Sequence, residues 1–267
     1  MTTNQFSLDV LAPAEDEMQE YPAYLREGFT PYDPIELLRL TEEKVCRGDA
    51  RKYTDFYCVG VYGGISTGYT VGCCLRCVFC WVDFSRDFPD KHGDFYSAGE
   101  AALRLIQNAR KKRLTKLRIS GAEPMLCKEH LLGVLDRVAG KGFSFILETN
   151  GIPLGYDARY ATELARYPGV HVRVSIKAGA ARGFEERTGA RGEFWELPFQ
   201  AVENLMQAGV SFHMAAMTDP RLMPPDERQN LLRRLRETGY TDWVEEEVCD
   251  PYRTSVVRLK AAGFDIF

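Results

Sequence analysis

Val71-Gly-Cys-Cys-Leu-Arg-Cys-Val-Phe-Cys-Trp81 decides the fold of this chain. Within it Cys73, Cys77 and Cys80 are spaced C-x3-C-x2-C. Three thiolates carried by one tight loop can converge on a single metal centre, and with no nearby fourth ligand an open coordination position is implied. A structural zinc site is the other interpretation of clustered cysteines, but zinc normally takes a fourth Cys or His. Cys74, directly beside Cys73, cannot easily serve the same centre.

Just before this loop, Phe56 to Tyr62 is largely β-branched or aromatic and predicts a buried strand closed by Gly63-Gly64. Further upstream, Asp33-Pro34 opens a predicted helix to about Arg47, ended by Gly48. Residues 1 to about 30 carry Glu15-Asp-Glu and prolines 13, 22 and 31, the pattern of an irregular arm packing on the body.

Downstream, Ser97-Ala-Gly-Glu100 is a capping box, followed by the apolar stripe of a helix to about Arg113. A regular alternation then sets in. Strands are predicted at Lys116–Ser120, Phe143–Glu148, Val170–Ile176, Val210–Met217 and Trp243–Val248. Helices are predicted at Lys128–Ala139, Asp157–Tyr167, Pro198–Ala208 and Pro225–Thr238, stopped by Gly140, Pro168-Gly169, Gly209 and Gly239. Six strands alternating with five helices require a parallel sheet with right-handed crossovers, either an open doubly wound sheet or a curved partial barrel. Arg258 to Phe267 ends apolar, as a closing turn docked on the body would.

A chain of 267 residues with 45% hydrophobic content buries a substantial core and suits one α/β domain. Its net charge of -4 argues against nucleic-acid binding through bulk positive potential. Four of the eight cysteines crowd into positions 73 to 80, unlike a secreted disulfide framework, so a reducing cytoplasm is the expected compartment. The first residues show no basic segment followed by an apolar run, and no run approaches eighteen apolar residues, so neither export nor a membrane span is expected.

Each unusual motif follows a strand: the cysteine loop, Gly121-Ala-Glu-Pro124, Glu148-Thr-Asn-Gly151, Ser175-Ile-Lys177, Met214 to Asp219, and Cys249-Asp250. In parallel α/β architectures the carboxyl ends of the strands share one face, and that face carries the site. The six features are therefore expected around one cavity.

The C-x3-C-x2-C spacing with Phe79 before its last Cys, followed one strand later by the GGEP-like Gly121-Ala122-Glu123-Pro124, resembles the radical S-adenosylmethionine (radical SAM) superfamily across residues 56 to 250. The resemblance implies a partial (βα)6 barrel, with residues 1-55 as an irregular and helical N-terminal extension packing on the core, 56-250 as the core and 251-267 as a short closing segment. It also implies a [4Fe-4S] cluster held by Cys73, Cys77 and Cys80, S-adenosylmethionine (SAM) on the fourth iron, and reductive cleavage of SAM to a radical that abstracts hydrogen. An electron donor such as flavodoxin or ferredoxin follows from the same likeness.

Glu123 and the backbone of Gly121 and Ala122 would receive the SAM ammonium, with Pro124 fixing the turn. Ala122 departs from the family's second glycine. Thr149, Asn150, Ser175 and Lys177 match positions that contact SAM in a subgroup similar to glycyl-radical-enzyme activases, where the motifs are commonly D-T-N-G and D-L-K. Here Glu148 and Ser175 replace the two Asp residues. Lys177 could pair with the methionine carboxylate, and Thr149, Asn150 and Ser175 could bond the carboxylate or ribose hydroxyls. The likeness suggests a protein or peptide substrate. A nucleoside or other small metabolite is the alternative, with Arg182, Glu186, Arg187 and Arg191 either anchoring it or forming a charged surface loop. A non-enzymatic zinc module is the remote third.

Among the remaining residues, His213 reads as packed or hydrogen-bonded. Met214 and Met217 read as core or adenine-wall residues, with Met214 kept as a cofactor candidate. Cys46, Cys58, Cys127 and Cys249 read as buried thiols, and only Cys249, at a strand end, is a candidate for a redox or hydrogen-donor role. Arg110 to Arg113 suits a helix C-terminus.

Overall fold

A computed structural model describes residues 30–267. The arm expected over residues 1 to about 30 thus lies almost wholly outside the described residues. The first helix, α1 (Pro34–Val45), is capped by Asp33, whose Oδ1 accepts from the Ile35 and Glu36 amides. It stops two residues before the expected Arg47, because Cys46–Arg47 forms a short strand β1 that turns through Gly48 into β2 (Ala50–Val59).

The expected strand at 56–62 falls mostly within β2, but β2 is not the first strand of the parallel set. A turn at Val61–Gly63 returns the chain antiparallel as β3 (Ile65–Thr70), which sequence periodicity did not reveal. From β3 onward the strands are parallel. In chain order they are β3, β5 (Lys116–Gly121), β6 (Ser144–Thr149), β7 (Val170–Ile176), β8 (Ser211–Met217) and β9 (Val244–Glu247), each hydrogen-bonded to the next. Strand β4 (Asp94–Ser97) pairs antiparallel with β2. This is a mixed α/β fold whose parallel part has the partial (βα)6 order.

The crossovers bury the outer face. Helix α2 (Ala98–Lys111) begins with the expected capping box, Ser97 and Glu100 bonding each other's backbone, and buries Ala101, Ala102, Leu105, Ile106 and Ala109. Then come α3 (Lys128–Val138), α4 (Ile152–Tyr156), α5 (Ala158–Leu164), α6 (Ala181–Thr188), α7 (Leu197–Ala208) and α8 (Pro225–Glu237). The helix expected over 157–167 is the shorter α5, and α4 precedes it. Helices and strands enclose one continuous apolar core including Leu117, Phe145, Val172, Phe199 and Leu231. Each such side chain contributes about 1.5–3 kcal/mol on burial.

The C-terminal segment is more than a closing turn: α9 (Arg253–Ala261) precedes the last residues, with Leu259 buried. Cys46 and Cys127, expected as free thiols, form a disulfide across a sequence separation of 81. No helix among the described residues is long and apolar enough to cross a membrane.

Candidate active site

Parallel register aligns the carboxyl ends of the strands, with Thr70 opposite Gly121, Thr149 opposite Val174, Ile176 opposite Ala216 and Met217 opposite Glu247. The cysteine loop leaves β3 through Gly72 (φ +81°), where a Cβ would stand 2.5 Å from Thr41 Cγ2, so only glycine fits. Its backbone is pinned by the Arg76 and Val78 amides, which donate to the carbonyls of Thr188 (3.1 Å) and Arg187 (2.9 Å).

Cys73, Cys77 and Cys80 line one inner cavity of about 150 Å³, together with Phe79, Gly121, Ala122, Glu123, Thr149, Asn150, Ser175 and Lys177. Cys74 is fully buried and does not line it. Among the described residues, no three Cys, His, Asp or Glu side chains are grouped to hold one metal ion. A single ion requires all its ligands within bonding distance of one point, whereas a cluster spreads its thiolates over separate irons.

The donor set fits an iron–sulfur cluster. The Leu75 amide lies 3.4 Å and Asn150 Nδ2 3.6 Å from Cys73 Sγ, and both point N–H groups at the sulfur. The Cys74 thiol's hydrogen bond, with the Leu75 amide and Arg76, holds Cys73 at about 6 against the effect of burial. Burial pushes Cys77 up to about 12, so without a compensating cationic centre that sulfur stays protonated. Metal binding deprotonates such a thiol outright.

Behind the loop lies a cluster of charges that sequence reasoning missed. Asp87 is buried and bonded to Arg86 (2.7 Å) and Arg258 (2.8 Å), with Arg76 Nε at 3.6 Å. Burial alone would raise the Asp87 carboxyl, but Arg86, Arg258 and Arg76 hold it at about 2.

Gly121 (φ +99°) approaches Thr70 so closely that a Cβ would lie 3.0 Å from its amide nitrogen. The Ala122 and Glu123 amides donate to the carbonyls of Thr70 (3.3 Å) and Gly72 (3.0 Å), stitching this turn to the cysteine loop. The Glu123 carboxylate is buried and engaged by the protein itself. Its Oε1 accepts from Thr149 Oγ1 (2.7 Å) and the Met125 amide (2.9 Å), and its Oε2 accepts from the Asn150 amide (2.9 Å). Burial, then the charge of Cys73, raises it to about 7, while the three donors favour the carboxylate. Pro124 lies off the cavity lining, its carbonyl taken by the buried Arg51 together with those of Glu123 and Leu126.

Arg173 and Ser175 on β7, and Lys177 just beyond its end, alternate toward the cavity, as strand geometry requires. Lys177 Nζ donates to Ser175 Oγ (2.5 Å), which in turn donates to Glu247 Oε2 (3.2 Å). Arg173 spans Glu245 (2.8 Å) and Glu247 (2.7 Å). The replacement of Asp by Glu at 148 has a visible use: Glu148 accepts from Arg118 (2.8 Å), Ser120 (2.6 Å) and Tyr62 (2.7 Å). Although burial opposes it, Arg118 and these hydroxyls hold Glu148 below the ordinary carboxylate range.

Met214 does not line the cavity. It is fully buried on the helix side of β8, and Met217, of opposite strand parity, lines the cavity instead. His213 is hydrogen-bonded, 3.1 Å from Glu245 and 2.7 Å from His171. The arginines after β7 also lie away from the lining. Arg182 pairs with Glu186 on the solvent side of α6, Arg187 of the same helix is buried against Glu227, and Arg191 pairs with Asp33.

Past Phe79 and Met217 the inner cavity adjoins a chamber of about 740 Å³, lined on one side by Tyr57, Tyr69, Trp81 and Tyr252 and on the other by Arg118, Glu148, Arg173 and Glu245. Cys249 lines this chamber, its thiol pushed up to about 11 by burial. The period-2 placement of Arg118, Ser120, His171, Arg173 and Ser175 in otherwise apolar strands was the available signal for this wall.

A partial (βα)6 sheet bearing three cysteines on the loop after its first parallel strand defines a class of cluster-dependent enzymes. Residues 68–235, more than half of the chain, match the family model of the radical SAM superfamily, and the chain belongs to that superfamily. It therefore uses a [4Fe-4S] cluster and SAM.

Among solved structures, Streptococcus suis SuiB bound to S-adenosylmethionine is similar with a TM-score of 0.54 and 15% identity, over 67% of this chain and 39% of that one. TYW1 with a lysine-pyruvate adduct bound is similar with a TM-score of 0.51 and 13% identity, over 69% of this chain and 64% of that one. The chain thus spans about two fifths of the length of SuiB. At these identities the likeness is one of fold. Comparison with curated proteins gives no match.

Proposed function

We propose that this chain cleaves SAM reductively and abstracts hydrogen from a protein or peptide, as an enzyme of activase-like type. One observation carries this: five of the six strand-end motifs meet at a single inner cavity, which adjoins a chamber about five times larger. Cys73, Cys77 and Cys80 would hold the cluster, which when bound supplies an electron to SAM. The carbonyls of Gly121 and Ala122 would take the SAM ammonium, and Lys177 the methionine carboxylate, leaving Ser175, Thr149 and Asn150 for the remaining polar groups. Phe79 and Met217 would close the cavity against water. A flavodoxin or ferredoxin is the proposed electron donor.

A macromolecular substrate is favoured by the chamber's rim, where Tyr57, Trp81, Val248 and Tyr252 are all exposed. The second reading, a nucleoside or other small metabolite, draws on the stacked pair Tyr57 and Tyr69, with ring centroids 4.5 Å apart, as a face for a planar ring.

Anaerobic reconstitution with iron and sulfide, then dithionite and SAM, tests the core of the proposal. Production of 5′-deoxyadenosine is expected, and its absence from a cluster-loaded protein would sink it. Deuterium transfer into 5′-deoxyadenosine from labelled peptides, rather than labelled nucleosides, is the outcome that separates the two substrates.

A further inference from the structure

Each of the three cysteines proposed as ligands has its main-chain carbonyl held by a different buried arginine. Arg76 Nη1 donates to the carbonyl of Cys73 (2.6 Å), Arg86 Nη1 to that of Cys77 (2.7 Å) and Arg258 Nη1 to that of Cys80 (2.5 Å). Arg258 also takes the carbonyls of Val82 and Asp83. All three guanidinium groups then turn to one carboxylate, Asp87, whose side chain is 3% exposed. Arg76 and Arg86 are local, but Arg258 comes from α9, 171 residues beyond Asp87.

Two physical consequences follow. A guanidinium is a rigid fork, so three forks converging on one carboxylate fix the relative positions of the three carbonyls they also bind, and with them the spread of the cysteines. The three guanidinium groups also stand directly behind the loop, each bonded to the carbonyl of one proposed ligand, and positive charge so close favours negative charge on the adjoining thiolates.

We propose that Asp87, with Arg76, Arg86 and Arg258, is a positioning and charge-setting hub for the cysteine loop, holding the ligand spacing and favouring the more negative, reduced state of the metal centre. The proposal rests on the radical SAM assignment. It differs from ligand binding because none of the four groups need touch the metal.

The test uses the full chain, reconstituted anaerobically, as wild type and as Arg258→Met, Arg258→Lys and Asp87→Asn. Iron and sulfide per chain, the melting temperature of the metal-free protein and the midpoint potential of the loaded cluster are measured. Arg258→Met removes a positive charge. At a fixed poise it is expected to show at least tenfold less reduced cluster, a midpoint about 59 mV lower for a one-electron couple. Asp87→Asn removes a negative charge and is expected to shift the midpoint upward. Arg258→Lys keeps the charge but not the fork, so it should preserve the midpoint while lowering iron content.

Opposite shifts in Arg258→Met and Asp87→Asn are the signature that a purely structural role cannot produce. Shifts of the same sign, or none, overturn the hub. If either variant does not fold, Arg76→Gln, at the weakest contact of the hub, takes the place of Arg258→Met, and Asp87→Glu, which keeps the charge, must restore the wild-type midpoint. A wild-type protein that takes up no iron would instead overturn the ligand assignment of Cys73, Cys77 and Cys80, an outcome distinct from failure of the hub.

Discussion

Thr149 Oγ1 donates to Glu123 Oε1 across 2.7 Å, joining the turn after β5 to the turn after β6. The carboxylate also gathers the Met125 and Asn150 amides, so one buried side chain orders both proposed SAM-contacting turns. Glu123→Gln presents an NH2 group to a set of donors and leaves at least one of them unpaired. An unsatisfied buried donor costs about 1–3 kcal/mol. Denaturant unfolding of the metal-free protein should show a loss of that size, and equilibrium dialysis weaker SAM binding. Unchanged unfolding would mean that the three bonds do not form in solution.

The GGEP-like turn offers a paired test. Gly121→Ala forces a side chain into a left-handed backbone and against the backbone of Thr70, and should destabilise the protein by about 1–3 kcal/mol. Ala122→Gly restores the family pattern. Because the Ala122 amide already bonds the Thr70 carbonyl, it should alter stability by less than about 1 kcal/mol. Equal effects at the two positions would contradict this geometry.

Cys74 separates packing from ligation. Its sulfur sits 3.3 Å from Asn150 Nδ2, behind the cavity lining. Cys74→Ser should keep the iron and sulfide content of the wild type after reconstitution, whereas Ser at Cys73, Cys77 or Cys80 should reduce it severely. Full loss of iron in Cys74→Ser would make Cys74 a ligand.

The parts of this molecule legible in its sequence are those governed by local rules. The capping box at Ser97, the run Val170–Ile176 and the glycine stops at 209 and 239 all appear in the structure within a residue or two. Strand β3 escaped notice because Ile65–Thr70 is buried on both faces while containing Ser66, Thr67 and Gly68, so it shows neither alternation nor an apolar run. Gly68 is needed there because the Phe56 and Tyr53 rings occupy the space of a Cβ. Helix α4 was hidden by Pro153 and Gly155, and Gly155 is required where the Leu197 backbone closes on it. Met214 was placed on the wrong side of its strand by one residue, which in a structure of period 2 reverses the face. Partners as far apart in sequence as Asp87 and Arg258 leave no local signal.

The disulfide between Cys46 and Cys127 ties β1 to the start of α3, just beyond the turn that carries Glu123. Closing a loop of this length restricts the unfolded chain by an amount worth about 4–5 kcal/mol as an upper value, and about 2–4 kcal/mol is typical. Reductant should therefore lower the unfolding midpoint of the wild-type protein and leave the Cys46→Ser/Cys127→Ser variant unaffected. Peptide mapping without reductant checks the bond directly, and two free thiols at these positions would refute it.

His130 sets an acid limit on stability far from the cysteines. Its Nδ1 donates to the Asp49 carbonyl (2.7 Å), so Nε2 carries no proton and accepts from the Tyr53 hydroxyl (2.8 Å). Burial, the largest influence, lowers its pKa from 6.5 to about 4. Above pH 6.5 the imidazole is neutral whether the chain is folded or unfolded, and it adds no pH dependence. Between pH 6.5 and 4 the unfolded chain takes up a proton that the folded protein refuses, so stability falls on acidification, by up to about 3 kcal/mol. Urea unfolding of the metal-free protein at pH 7 and pH 5 should reveal the loss. In His130→Gln, which keeps a polar group but cannot titrate, the difference between the two pH values should shrink by most of that amount. An undiminished difference would assign the acid sensitivity to other groups.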